Sequence, residues 1–112
     1  MNKRAIANWD ALEDRQPIHE LVADVDLVIV RFDDEVSVLY GRCAHRGALM
    51  SDGHVEGDNL ICGVHGWDYV FMTGVSSYNN DERLNKFSSW VEGDSLMIDL
   101  DEIERVASAL GN

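Results

Sequence analysis

The sequence predicts an all-β fold, a small antiparallel β-sandwich, on three observations. Turn signals recur at short intervals, apolar runs of strand length lie between them, and helical spacing of apolar residues is confined to the C-terminal end. The chain has 112 residues, enough for one modest core, and is expected to be a single domain over 1–112. Hydrophobic residues make up 46% and charged residues 27%, which places the chain among ordinary globular proteins rather than disordered ones.

Taken in order, Leu27–Phe32 and Val36–Tyr40 flank Asp33-Asp34-Glu35 and read as a hairpin. Asn59–Cys62 follow a turn at Glu56-Gly57-Asp58, and Trp67–Phe71 precede one at Met72-Thr73-Gly74. Lys86–Val91 and Ser95–Leu100 are joined by Glu92-Gly93-Asp94, where an acidic residue beside glycine suits a tight turn. Tyr78–Asn85 is polar and reads as a loop or a single helical turn. At the end, Asp101 and Glu104 are spaced as a capping box, and Ile103, Val106, Ala107 and Leu110 then share one face of a short helix stopped by Gly111. Phe32, Val38, Leu60, Phe71, Phe87 and Trp90 are the expected core. No repeat, low-complexity tract or linker interrupts this series.

Nine basic residues against 21 acidic ones give a formal charge of −12. That balance disfavours nucleic acid, whose phosphates call for basic patches. It suits a partner with a positive face, or it simply keeps the protein dissolved. The opening "MNKRAIANWD" has no apolar stretch behind its basic flank, and the longest clean aliphatic run, Leu27–Val30, is far short of a membrane span. A soluble, cytoplasmic protein is expected. In that reducing compartment the two cysteines, Cys43 and Cys62, point to metal binding or catalysis rather than to a disulfide.

Each cysteine has a histidine close by, in "GRCAHRGALM" (41–50) and "LICGVHGWDY" (60–69): Cys43-x-His45, then Cys62-x-x-His65. Both pairs fall in glycine-containing loops where a strand run stops, so two similar loops could face each other across a metal centre. Zinc is one reading, since two thiolates and two imidazoles complete a tetrahedron. Zinc modules, however, usually pair like ligands two to four residues apart, whereas each loop here carries one of each kind. A 2Fe–2S cluster accounts better for that mixture: its bridging sulfides fill half of each iron's coordination, leaving two protein ligands per iron.

"CAHRGA" and "CGVHGW" resemble the two ligand motifs of the Rieske iron–sulfur family. "SDG" at 51–53 and "TG" at 73–74 are similar to that family's habit too, and the resemblance runs from about Trp9 to Leu100. It implies a Rieske-like sandwich whose cluster-binding subdomain is made of the two loops, about 41–50 and 60–69. It implies further that Cys43 and Cys62 bind the buried iron as thiolates, while His45 and His65 bind the outer iron as neutral imidazoles. Replacing two thiolates by neutral ligands raises the potential to about −150 to +300 mV, against about −400 mV for plant-type ferredoxins.

Departures from the family patterns narrow the type. High-potential members carry an extra cysteine in each loop, joined by a disulfide, and a serine after the His-Gly of the second loop. This chain has only two cysteines and has Trp67 at the serine position, which favours a low-potential, oxygenase-associated protein. Tyr69 stands where high-potential members place a donor to a cysteine sulfur, but an aromatic is common there in oxygenase-type domains, and core packing is the role expected of it. Ala44 and Gly63 replace the proline often found after each ligand cysteine. His19 and His54 read as surface residues, so no 2-His-1-carboxylate site is left for catalysis. With no catalytic residue, the chain is expected to be an electron-transfer component rather than an enzyme. The partners implied are a flavin-dependent reductase and a terminal oxygenase or similar redox protein. Docking is expected at the cluster tip, through an apolar collar of Ala48, Leu49, Met50, Val64 and Trp67. Two other readings stand beside this one: a Rieske redox module of a larger flavin or amidotransferase-like enzyme, and a zinc-stapled interaction domain.

Overall fold

The computed structural model describes residues 2–43, 48–63, 68–76 and 83–109. In chain order these form β1 (Lys3–Asn8), β2 (Ile18–Val22), β3 (Val25–Phe32), β4 (Glu35–Tyr40), β5 (His54–Glu56), β6 (Asn59–Ile61), β7 (Asp68–Val70), β8 (Lys86–Phe87), β9 (Ser89–Glu92), β10 (Ser95–Asp99) and helix α1 (Leu100–Ala109). Single 3₁₀ turns cover Trp9–Ala11 and Met50–Asp52. The strands make three antiparallel sheets, ordered β1-β10-β9, β2-β3-β4-β8 and β5-β6-β7. The all-β expectation, with a short C-terminal helix, is therefore met.

The four-stranded sheet is the middle layer, and its sequence shows why. A strand covered on one face alternates apolar and polar residues, while one covered on both is apolar throughout. β3 is nearly continuous, and its side chains divide by parity. Val28, Val30 and Phe32 enter one buried cluster with Leu39, Met50, Leu60, Tyr69 and Phe71. Val25, Leu27 and Ile29 enter another with Val38, Leu96, Ile98 and Ile103. The first cluster lies toward the small sheet β5-β6-β7, the second toward β1-β10-β9 and α1. Each fully buried aliphatic side chain contributes roughly 1.5–3 kcal/mol, so β3 ties both layers to itself.

The expected hairpin at 33–35 forms with Phe32 opposite Glu35, and Asp33 takes the left-handed conformation (φ 57°) that aspartate tolerates. Gly57 and Gly93 supply positive φ in the β5–β6 and β9–β10 turns. Strands β1, β2 and β5 are additions to the elements the sequence announces. β2 and β3 are joined by Ala23-Asp24, both at positive φ, a tight hairpin without the glycine that normally marks one.

Helix α1 also differs at its start. The cap is Asp99, whose Oδ1 accepts the Asp101 N–H at 3.0 Å, two residues before the capping box expected at Asp101. Asp101 and Glu102 lie in the first turn, where negative charge suits the helix dipole, and Glu102 Oε1 also accepts the Ser88 N–H at 2.8 Å. Ile103 is buried, with Val106 and Ala107 packed beside it as expected; Leu110 and Gly111 lie outside the described residues. Of the six expected core residues, Trp90 departs. It is half-buried, with its indole N–H donating to Glu92 Oε2 at 2.7 Å, because the outer face of β9 meets solvent. Residues 78–82 of the polar 78–85 segment lie outside the described residues; Leu84 beyond them is buried, its N–H bonded to Gly74 O. No helix among the described residues is long and apolar enough to cross a membrane.

Candidate metal centre

The first loop leaves the middle sheet at the end of β4. Beyond the last ladder pair, Leu27 opposite Tyr40, the Gly41 N–H still reaches Asp26 O at 2.7 Å. The chain then turns back on itself. Cys43 N–H donates to Ala48 O at 2.8 Å and Met50 N–H to Gly41 O at 2.8 Å, with Arg42 bridged to Leu49. Cys43 thus stands on a closed two-rung base. The second loop belongs to the β6–β7 hairpin, where Ile61 opposite Asp68 is the last pair before Cys62.

Close backbone approach holds the segment just after the first loop, Asp52-Gly53, against the start of the second at residues 61–63. A Cβ on Gly53 would overlap Ile61 O outright, and one on Gly63 would lie 2.9 Å from Asp52 O. Glycine is required at 53 by this approach, not by its φ, and the "SDG" motif gains a physical reason. The result is that Cys43 (2% exposed) and Cys62 (1%) share one dry cluster with Met50, Leu60, Tyr69 and Phe71. No disulfide joins the two thiols.

Tyr69 is fully buried, as core packing requires, but its phenol does more: Oη lies 3.6 Å from Cys43 Sγ. If Cys43 is a thiolate, only the phenol carries the hydrogen, so Tyr69 donates. His54 on β5 is exposed with Nε2 2.8 Å from Glu56 Oε2, and His19 on β2 is exposed with Nε2 2.7 Å from Asp26 Oδ1; both are the surface residues expected. His45 and His65 lie outside the described residues, as do Val64 and Trp67 of the expected collar. Met50 leaves that collar altogether, since it is fully buried beneath the loops, while Ala48 and Leu49 are half-buried.

Sequence reading missed Asp26 and Arg42. Arg42 Nε donates to Asp26 Oδ2 at 2.8 Å. Burial works to raise the Asp26 carboxyl, but the hydrogen bonds from His19 and Arg42 and the Arg42 charge outweigh it and hold the group below the usual carboxylate value. A lone acid inside a strand gave no signal of this.

Soft, buried cysteine sulfurs suit iron or zinc, and among the described residues no third metal-ligating side chain joins them. The comparison with known families decides between these. The model of the Rieske [2Fe-2S] domain matches residues 2–88, spanning both loops and the sheets that carry them.

The chain belongs to the Rieske [2Fe–2S] domain family. The cofactor that goes with this domain is a 2Fe–2S cluster on two cysteines and two histidines, and the buried thiol pair fits its cysteine half. The methylxanthine N1-demethylase NdmA of Pseudomonas putida is 40% identical over 53 residues, covering 47% of this chain; the chain spans only 15% of that enzyme's length. The 3-phenylpropionate/cinnamic acid dioxygenase ferredoxin subunit of Shigella flexneri is 31% identical over 85 residues, covering 72% of this chain and 80% of the subunit. Among solved structures, the ferredoxin of carbazole 1,9a-dioxygenase from Nocardioides aromaticivorans superposes with a TM-score of 0.80 at 19% identity, over 88% of this chain and 97% of that one. This likeness shows the fold; the family rests on the sequence matches.

Proposed function

We propose that this chain is a single-domain Rieske-type ferredoxin over 1–112, a cytoplasmic one-electron carrier between a flavin-dependent reductase and an oxygenase or related redox enzyme. In this reading Cys43 and Cys62 hold the inner iron as thiolates, and His45 and His65 hold the outer iron through neutral imidazoles. The bound cluster supplies a one-electron couple. The chain's own residues do the rest: Met50, Leu60 and Phe71 exclude water from the cysteine side, and Tyr69 donates toward Cys43. The observation that carries the reading is that both thiols are buried in one apolar cluster of a family-matched fold. A carrier needs an inner side that holds the cluster and an outer side that meets partners. The match to the dioxygenase ferredoxin subunit over 80% of its length supports a free-standing carrier.

Surface charge supports the shuttling part. A net charge of −12 gives a field that draws in a partner with a basic docking face and orients it. Encounters of this kind are weak, fast and screened by salt over about 8–10 Å at 0.1–0.15 M. Stopped-flow reduction by a flavin reductase should slow several-fold between low and high salt. A rate that does not change with salt would remove the steering argument. The match to a demethylase of which the chain spans only 15% favours a second reading, in which the same domain serves as a redox module inside a larger enzyme. Tight co-purification with one partner would decide for it.

A further inference from the structure

Asp26 lies well before the first ligand cysteine in sequence, on β3, yet it holds both residues that precede that cysteine in the chain. Its carbonyl accepts the Gly41 N–H at 2.7 Å, and its Oδ2 accepts from Arg42 Nε at 2.8 Å. Its other carboxylate oxygen, Oδ1, is 2.7 Å from His19 Nε2 on the neighbouring strand, so the carboxylate is fixed from both sides. Gly41 is pressed onto the same stretch of β3: a Cβ there would lie 2.7 Å from Leu27 C and 2.9 Å from Asp26 C and O. One rail of the loop base is therefore held by main chain at 41 and by side chain at 42, immediately before Cys43.

We propose that Asp26 is a positioning residue for the first ligand loop, using its carbonyl on Gly41 and its carboxylate on Arg42 to fix where Cys43 presents its sulfur. The proposal rests on the reading of Cys43 as a cluster ligand. An Arg42–carboxylate hydrogen bond with both partners ionised is about twice as strong as a neutral one, and the Asp26 side chain is only 20% exposed, so water competes for it weakly. Without the carboxylate, the arginine loses this anchor to β3, the backbone at 42 gains freedom, and the Cys43 sulfur takes up a spread of positions relative to Tyr69.

The test uses the full chain purified anaerobically with its cluster. The parent's visible absorbance is recorded first; a colourless parent overturns both the ligand reading and this proposal before any variant is made. Asp26→Ala, Asp26→Asn, Arg42→Ala and the double variant Asp26→Ala/Arg42→Ala are then compared by three readouts: the rate of cluster loss to a chelator, the width of the reduced-state EPR lines, and thermal stability. Removing one charge-assisted hydrogen bond should speed cluster loss in Asp26→Ala about tenfold and broaden the lines. Arg42→Ala should change it in the same direction, and the double variant should fall short of the product of the two single effects, since the Asp26–Arg42 bond is lost in each. Asp26→Asn keeps an acceptor for Arg42 and should recover part of the parent's behaviour. If Asp26→Ala lowers thermal stability while cluster loss and line width stay as in the parent, Asp26 merely supports the sheet and the proposal fails. It also fails if the effects of the two single variants multiply in the double one.

Discussion

Replacing Tyr69 by phenylalanine removes one oxygen atom from a fully buried ring and leaves the ring itself in place. That oxygen is 3.6 Å from Cys43 Sγ, and both residues are at most 2% exposed, so no water stands ready to replace the donor. With a cluster held through Cys43, reduction would add negative charge shared by its sulfurs, and a Tyr69 hydrogen bond to Cys43 would stabilise the reduced form more than the oxidised one. Removing the donor should therefore lower the midpoint potential. A hydrogen bond to a charged group is worth roughly 1.5–3 kcal/mol, but only the difference between two oxidation states counts here, and sulfur contacts are long, which leaves about 0.5–1.5 kcal/mol. For one electron, about 59 mV corresponds to about 1.36 kcal/mol, which converts that range to a fall of about 20–65 mV. The assay is a potentiometric titration of parent and Tyr69→Phe, followed in the visible and by EPR, with thermal melts alongside. An unchanged or raised potential would refute the donor role and return Tyr69 to core packing alone.

The parent's potential should itself lie in the lower half of the Rieske range of roughly −150 to +300 mV, and a titration well above about +100 mV would contradict that placement. Gly53→Ala would drive a Cβ into Ile61 O, so the loops must part; stability should fall by about 3 kcal/mol or more and cluster content with it, as read by melting and iron analysis. Gly57→Ala, by contrast, meets nothing within 4 Å and carries only its positive φ of 58°, so a loss of about 1–2 kcal/mol with full cluster content should follow. Among the described residues Ser37 Oγ is buried without a hydrogen-bond partner, so Ser37→Ala should leave stability unchanged or raise it by about 1 kcal/mol; a clear loss on denaturant unfolding would mean the hydroxyl is satisfied in solution. Acid should unfold the protein through Asp14, Asp26 and Glu92, all held below their usual values: Asp14 by the Asp33 N–H and Arg15, Asp26, against its burial, by His19 and Arg42, and Glu92 by Trp90 and Lys3. Their contribution is present in full above the unfolded carboxylate range near about 4 and is lost as pH falls through the lower folded values, so melting temperature should be flat from about pH 7 to 5 and drop below about pH 4.

What the sequence reveals depends on whether a residue's neighbours along the chain announce its role. The "LVIV" run, the acidic turns and Gly57 and Gly93 carry strong local signals, and the hairpins they imply are present. β1 and β2 carry weaker ones. β1 is largely exposed, and the β2–β3 turn uses Ala23-Asp24, whose positive φ values are held by the surrounding ladder rather than by glycine. The helix starts two residues before the expected cap at Asp101 because β10 ends at Asp99, whose carboxylate takes the Asp101 N–H. At the candidate site, the spacing of Cys43 and Cys62 to nearby histidines singles the two cysteines out, and both lie buried in one cluster. Met50 is not: a methionine beside a ligand loop looks like a surface collar until the 3₁₀ turn rolls it under the loops. Asp26 is not legible either, because its partners come from separated segments that only the sheet brings together.

Whether Cys43, His45, Cys62 and His65 hold a 2Fe–2S cluster is read from spectroscopy of the anaerobically purified, reduced protein. A coloured protein with two irons per chain and pulsed-EPR couplings from two nitrogen ligands is the expected result, with one nitrogen coupling lost in each of His45→Cys and His65→Cys. A colourless protein holding one zinc per chain, or a cluster with no nitrogen coupling, would contradict it.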